Sequence, residues 1–164
     1  MILYLMRHGI AEDSSPLGSD ADRRLTQRGT LRVAMVAKGL HRIGLQFDRI
    51  ISSPYVRARQ TAEIVARVAG YDHEILFDKR LVPFARFEDV SDMIQENSDA
   101  GSMLFAGHEP SMGLMISGLV AEDRLSIEVK KAAVTAVQIE RFRPRAAGTL
   151  LWSIPPKLFE AISK

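Results

Sequence analysis

Four side chains could act together on one anionic group: Arg7, His8, Arg57 and His108. Arg7-His8 follows the apolar run Ile2–Met6, and Gly107-His108 follows the apolar run Ser102–Ala106. Arg57 lies in the first turns of a helix that begins after Asp48–Ser52. An arginine fork matches two oxygens of a phosphoryl group and stays charged at any working pH. A helix N-terminus beside it adds backbone N–H donors for the same anion. A neutral histidine with its other ring nitrogen anchored can attack phosphorus, which is covalent catalysis. A second histidine, if protonated, adds positive charge where the transferring group loosens. A histidine after a strand is, by itself, more often a hydrogen-bonded structural residue; the shared placement of all four residues points the other way.

No metal or cofactor is called for. The chain has no cysteine, and the acids nearest these residues (Glu12, Asp13, Asp20, Asp22) fall in a loop without the ligand pattern of a two-metal phosphatase.

The elements that must hold these residues alternate between strand and helix patterns. Ile2–Met6 reads as a strand buried on both faces, followed by a polar loop from Gly9 to Leu25. Thr26 is placed to cap a helix over Gln27–Ile43, with an apolar stripe of Val33, Val36, Ala37, Leu40 and Ile43 and a stop at Gly44. Asp48–Ser52 is a second strand. Ser53-Pro54 then predicts a helix with Ser53 as N-cap, running to Ala69 and closed by Gly70. His73–Phe77 reads as a third strand, Glu88–Asn97 as a helix and Ser102–Ala106 as a fourth strand. Pro110 opens a helix with Met112, Met115, Ile116 and Leu119 inward. Val134–Phe142 and Thr149–Ile154 pair through the turn Arg143–Gly148, and Pro156–Ser163 predicts a terminal helix. This alternation argues for an α/β fold: a single-domain three-layer sandwich over residues 1–164, with a mostly parallel central sheet and helices on both faces. In such sheets ligands bind beyond the carboxyl ends of the strands, which is where His8, Ser52-Ser53 and His108 fall.

Composition agrees. The 164 residues are 46% hydrophobic and 26% charged, the balance of a soluble globular domain. No apolar run approaches the roughly 18–20 residues of a membrane span, and the first six residues precede rather than follow a charge, unlike a signal peptide. A cytoplasmic monomer is expected, with no membrane partner. Net charge is +2, but residues 1–60 hold ten Lys/Arg against five Asp/Glu, an excess suited to an anionic ligand. Arg28, Arg32, Lys38 and Arg42 account for much of it as one polar helix side. No basic run is interleaved with aromatics, so nucleic acid is not an expected partner.

Met6-Arg7-His8-Gly9 resembles the RHG signature of the histidine phosphatase superfamily. Arg23-Arg24-Leu25-Thr26 with Gly29 is similar to the family's R-P-L-T-x-x-G segment, with Arg in place of Pro. Ser52-Ser53-Pro54-Tyr55-Val56-Arg57-Ala58-Arg59-Gln60-Thr61-Ala62 resembles its S-S-P-x-x-R-A-x-Q-T-A helix start, and Gly107-His108-Glu109-Pro110 its second histidine motif. The resemblance implies a phosphoglycerate mutase-like fold, a phosphohistidine intermediate on His8, and a phosphate pocket of Arg7, Arg57 and His108. It also sets Arg23 near that pocket.

Two features point within the family to the SixA-type phosphohistidine phosphatases. Only about ten residues separate Phe77 from the next helix, too few for the helical lid of the longer relatives, so an open site is expected. And where members acting on alcohol phosphates carry an acid, this chain has Arg80. An alkoxide needs a proton donor to leave, whereas a protonated phosphoimidazole departs as neutral imidazole. Asp78, Glu88, Glu109 or no residue at all are the candidates for that donor. The expected partner is a phosphorylated protein resembling a histidine phosphotransfer domain. A small phosphate ester, or a module that binds phosphorylated partners without catalysis, are the alternatives.

Overall fold

The structure, a computed structural model, describes residues 1–162. Strand β1 (Ile2–Arg7) leads into a loop carrying a single 3-10 turn at Asp20–Asp22, then helix α1 (Gln27–Arg42). Strand β2 (Arg49–Ser52), helix α2 (Val56–Ala69) and strand β3 (Leu76–Phe77) follow, with a second 3-10 turn at Lys79–Leu81. Then come helix α3 (Phe87–Glu96), strand β4 (Ser102–Gly107) and helix α4 (Ser111–Ala121). Strands β5 (Val134–Arg141) and β6 (Ala147–Ile154) precede helix α5 (Pro156–Ile162); the predicted last helical residue, Ser163, lies outside the described residues.

The six strands form one sheet in the order β3-β2-β4-β1-β5-β6. β1, β2, β3 and β4 pair in parallel, and only β5 runs against its neighbours. Successive strand residues face opposite sides, and the sequence uses both. Leu3, Leu5, Met103 and Phe105 pack under α3 and α4 with Val90, Met93, Met112 and Met115. Tyr4, Met6, Leu104 and Ala106 face α1, α2 and α5 with Val33, Val36, Leu40, Val65 and Phe159. A strand apolar on both faces needs a helical layer on each, and that is the sandwich expected.

Local predictions hold with instructive exceptions. Thr26 caps α1, its hydroxyl accepting from the Gly29 amide at 3.0 Å. Ile43 does not join the buried stripe: the helix ends one residue before it and the side chain is exposed. Ser53 is not the N-cap of α2, which starts at Val56 with Tyr55 as its cap residue. The Ser53 hydroxyl does accept from the Tyr55 amide, but its main engagement lies elsewhere, as shown below. The third strand shrinks from His73–Phe77 to Leu76–Phe77, an exposed edge whose pairing stops as soon as β2 ends.

Candidate active site

The parallel register that pairs Arg7 with Gly107 sets His8 and His108 one step beyond the ladder, on neighbouring strands. Their rings lie 5.0 Å apart, and the His8 amide donates to the Gly107 carbonyl. β2 ends beside them: the Ser53 amide bonds the Ala106 carbonyl, which aims the Ser53 hydroxyl at His108 Nε2, 2.9 Å away. α2 then carries Arg57 back over His8. The sheet topology alone thus delivers three of the four residues to one edge.

His8 is 6% exposed, and both ring nitrogens are engaged. Nδ1 lies 2.7 Å from the carbonyl of Gly9, which can only accept, so the proton is on Nδ1. Nε2 therefore keeps its lone pair, and it receives the Arg57 Nε–H at 3.2 Å. Burial drives the His8 pKa down to about 3, opposed by the Gly9 bond and helped by the charges of Arg57, Arg7 and Lys131. This is a neutral imidazole whose Nε2 lone pair faces the Arg57 guanidinium, the group that would bind the phosphoryl oxygens.

His108 is more buried still. Burial, and then the His8 ring, Arg57 and Arg7, lower its pKa to about 2. The protonated form allowed for this residue is therefore not its resting state, because burial penalises the charge first and the neighbouring Arg57 and Arg7 add to it. With Nε2 on Ser53, Nδ1 is buried without a hydrogen-bond partner, as is Nε of Arg7. Arg7 is fixed by a 2.8 Å bond from Nη1 to the Val129 carbonyl. Buried polar atoms without partners cost stability; the Arg7 Nε–H is a donor, and His108 Nδ1 is one too when Ser53 donates to Nε2, an arrangement suited to an anion.

Several further residues, of which Gly9, Gln60 and Thr61 fall in the motif blocks, support the site. Thr61 Oγ1 donates to the Arg57 carbonyl at 2.7 Å and accepts from the Gly9 amide at 3.2 Å, tying α2 to the loop after β1. Gln60 Oε1 accepts from the Leu25 amide. Tyr55 packs its ring edge against His108, with the Arg57 guanidinium over its face. Gly9 has no room for a side chain, since a Cβ there would meet Val33 at 2.6 Å.

The loop between β1 and α1 was read as merely polar; it covers the site. An Ala11–Leu25 bridge and the Thr26 amide bond to Ile10 close its base. Its 3-10 turn brings Asp20 onto Arg57: Nη1 donates to the Asp20 carbonyl at 2.6 Å and Nη2 to its carboxylate at 2.9 Å. Arg23, expected near the pocket, reaches it through that same carboxylate at 2.7 Å. The expectation of an open site thus needs correction. No lid forms after Phe77, but Arg57 and His108 are 4% and 1% exposed beneath the N-terminal loop.

The acids considered as proton donors are engaged or distant. Asp78 caps the Lys79–Leu81 turn and is gripped by Arg80, which holds its carboxyl below the ordinary range. Arg80 is itself clamped between Asp78 and Glu96. Glu109 accepts from the amides of Gly113 and Val129, and Glu88 is exposed on α3. Among the described residues no group of three or more His, Asp or Glu is placed to hold a metal ion.

The family model of the histidine phosphatase superfamily (branch 1) matches residues 3–83. The chain is 33% identical to an uncharacterized protein of Picosynechococcus sp., over 84% of this chain and 85% of that protein. It is 30% identical to the phosphohistidine phosphatase SixA homolog of Haemophilus influenzae, over 73% of this chain and 77% of that one. The structure of the protein histidine phosphatase SixA complexed with tungstate superposes with a TM-score of 0.88 at 26% identity, covering 96% of this chain and 99% of that one. With the four motif blocks gathered at one sheet edge and relatives matched along most of its length, this chain belongs to the histidine phosphatase superfamily.

Proposed function

We propose that this phosphatase removes phosphoryl groups from phosphohistidine on an acidic protein surface, with His8 as the nucleophile. The observation that carries the nucleophile is the tautomer: with Nδ1–H held by Gly9, the Nε2 lone pair is the only reactive edge of the ring. Nε2 attacks phosphorus as the bond from phosphorus to the substrate imidazole breaks. That imidazole leaves neutral, having entered protonated. Water then attacks the phosphoryl group on His8, the P–Nε2 bond breaks, and orthophosphate leaves. Arg7, Arg57 and His108 supply donors to the phosphoryl oxygens, the electrostatic stabilisation this chemistry needs.

The leaving group is argued from the carboxylates. Asp20 and Asp78 are ion-paired and held below their ordinary pKa, while Glu109 is spent on backbone amides. A site without a spare proton donor suits a substrate that brings its own proton. A protein partner is supported by a groove of about 700 Å³ that begins at Arg7 and is lined by Arg32, Lys130, Lys131 and Lys157 against Glu128 alone. Such a rim attracts an acidic surface.

Rates across phosphoramidates and phosphate esters of rising leaving-group pKa test the reading. A steep fall with pKa, together with an acid-labile, base-stable phosphoryl label that His8→Ala abolishes, is expected. A flat profile means that a carboxylate donates a proton to alkoxides, and the enzyme is then a general phosphomonoesterase. Near-normal turnover by His8→Ala would overturn the mechanism.

A further inference from the structure

We propose that Asp20 is an internal stand-in for the substrate phosphoryl group, holding the Arg57 fork between turnovers and yielding it to the incoming anion. The proposal rests on the assignment of Arg57 to the phosphoryl pocket. The Asp20 carboxylate sits between two guanidiniums, with Oδ2 on Arg57 and Oδ1 on Arg23 at 2.9 and 2.7 Å. That is how a phosphoryl group is itself gripped. All three nitrogens of Arg57 are engaged: Nε on His8, Nη1 on the Asp20 carbonyl and Nη2 on its carboxylate. Three of its five N–H donors are thus spent, and the Nη1 and Nη2 hydrogens that face Asp20 can turn to a substrate only when Asp20 lets go. The same guanidinium links the Asp20 carboxylate, 54% exposed, to His8, 6% exposed. A phosphoryl group that reaches Nε2 must therefore take over Arg57 donors that Asp20 now holds.

The loop is constructed for that motion. Its base is tied by the Ala11–Leu25 bridge and by the Leu25 amide on Gln60. Its tip is a single 3-10 turn with an exposed N-cap, where the Ser19 hydroxyl accepts from the Ala21 amide at 3.2 Å. Releasing Asp20 breaks few bonds and uncovers little apolar surface, since none of the residues of that turn is buried. Charge decides the exchange. A phosphoryl dianion offers Arg57 twice the charge of a carboxylate and wins the fork, and the departing product meets a carboxylate ready to retake it. Asp20 is thus no proton donor. Burial pushes its carboxyl up, but the bonds from Arg23 and Arg57 outweigh this and keep it below the ordinary value, hence ionised at neutral pH.

The experiment is calorimetric titration of the full chain with tungstate, a tetrahedral dianion. Losing an intramolecular competitor with a part-exposed charge-assisted bond predicts that Asp20→Ala binds tungstate about 5-fold more tightly. Asp20→Asn should tighten it less, because an amide oxygen still accepts from Arg57. Arg57→Ala should weaken binding at least 10-fold. Unchanged or weaker binding by Asp20→Ala, with the Arg57→Ala loss intact, overturns the proposal alone; unchanged binding by Arg57→Ala overturns the pocket assignment beneath it. Hydrogen exchange on the unmodified protein gives a second measure. Saturating tungstate should speed exchange at Asp22 and Arg23, whose amides bond Ser19 and Asp20 within the turn, and slower or unaltered exchange there overturns the displacement.

Discussion

Acidification should unfold this protein earlier than its carboxylates alone would, and His8 and His108 are the reason. Both are neutral in the fold, with pKa values pushed down by burial to about 3 and about 2, against about 6.5 in an unfolded chain. The unfolded state therefore takes up protons that the folded state refuses. Stability is complete above the unfolded value and falls as pH drops toward the folded one. Between about pH 7.5 and about pH 5.5 each histidine removes about 1.4 kcal/mol, near 3 kcal/mol for the two, a large share of a typical 5–15 kcal/mol. The figure does not depend on where below about pH 4.5 the folded values lie, because the window sits above them. Ion-paired Asp20 and Asp78 contribute nothing here, since their carboxyls are held below the ordinary range and lose their partners only in stronger acid. Urea unfolding at several pH values within this window, on the natural chain and on His8→Gln, measures the effect. The variant should halve the slope. A flat profile in the natural chain, or an undiminished slope in His8→Gln, would show that His8 takes up a proton in the fold as readily as in the unfolded chain, and the burial argument for its neutrality would fail.

Thr61→Val deletes the hydroxyl that joins the Gly9 amide to the Arg57 carbonyl while preserving shape, and leaves a buried N–H unsatisfied. It should cost about 1–3 kcal/mol by thermal or urea unfolding, and should lower kcat more than Thr61→Ser, which retains the bridge. Turnover of an activated aryl phosphate should survive prolonged EDTA treatment unchanged, because the charge that a metal would supply is provided by Arg7 and Arg57; loss that one divalent ion restores would refute this.

The fold was legible because its information is local and periodic. Strands apolar on both faces, helices striped every three or four residues, and Thr26 at a helix start each state their structure within a few positions. The co-location of His8, Arg57 and His108 was legible too, since parallel strands ending in chemistry-bearing residues must present them at one edge. What escaped was charge pairing across the fold. Arg80 gave no sign of its ion pair because its partner Glu96 lies a helix away. Asp20 looked like loop polarity because nothing near it in sequence says that Arg57 will face it. Ser53 looked like a helix cap, and the hydroxyl is instead turned toward His108 by the β2–β4 ladder. Each error exchanged a local role for a tertiary one, and each concerns a polar side chain with several available partners. An apolar side chain has only to be buried, so periodicity places it. A polar one has to be buried with a particular partner, and the partner is chosen by the assembled sheet. The chemistry of this site accordingly depends also on the pairs that sequence specifies least: those that fix the His8 tautomer, orient His108 and occupy Arg57.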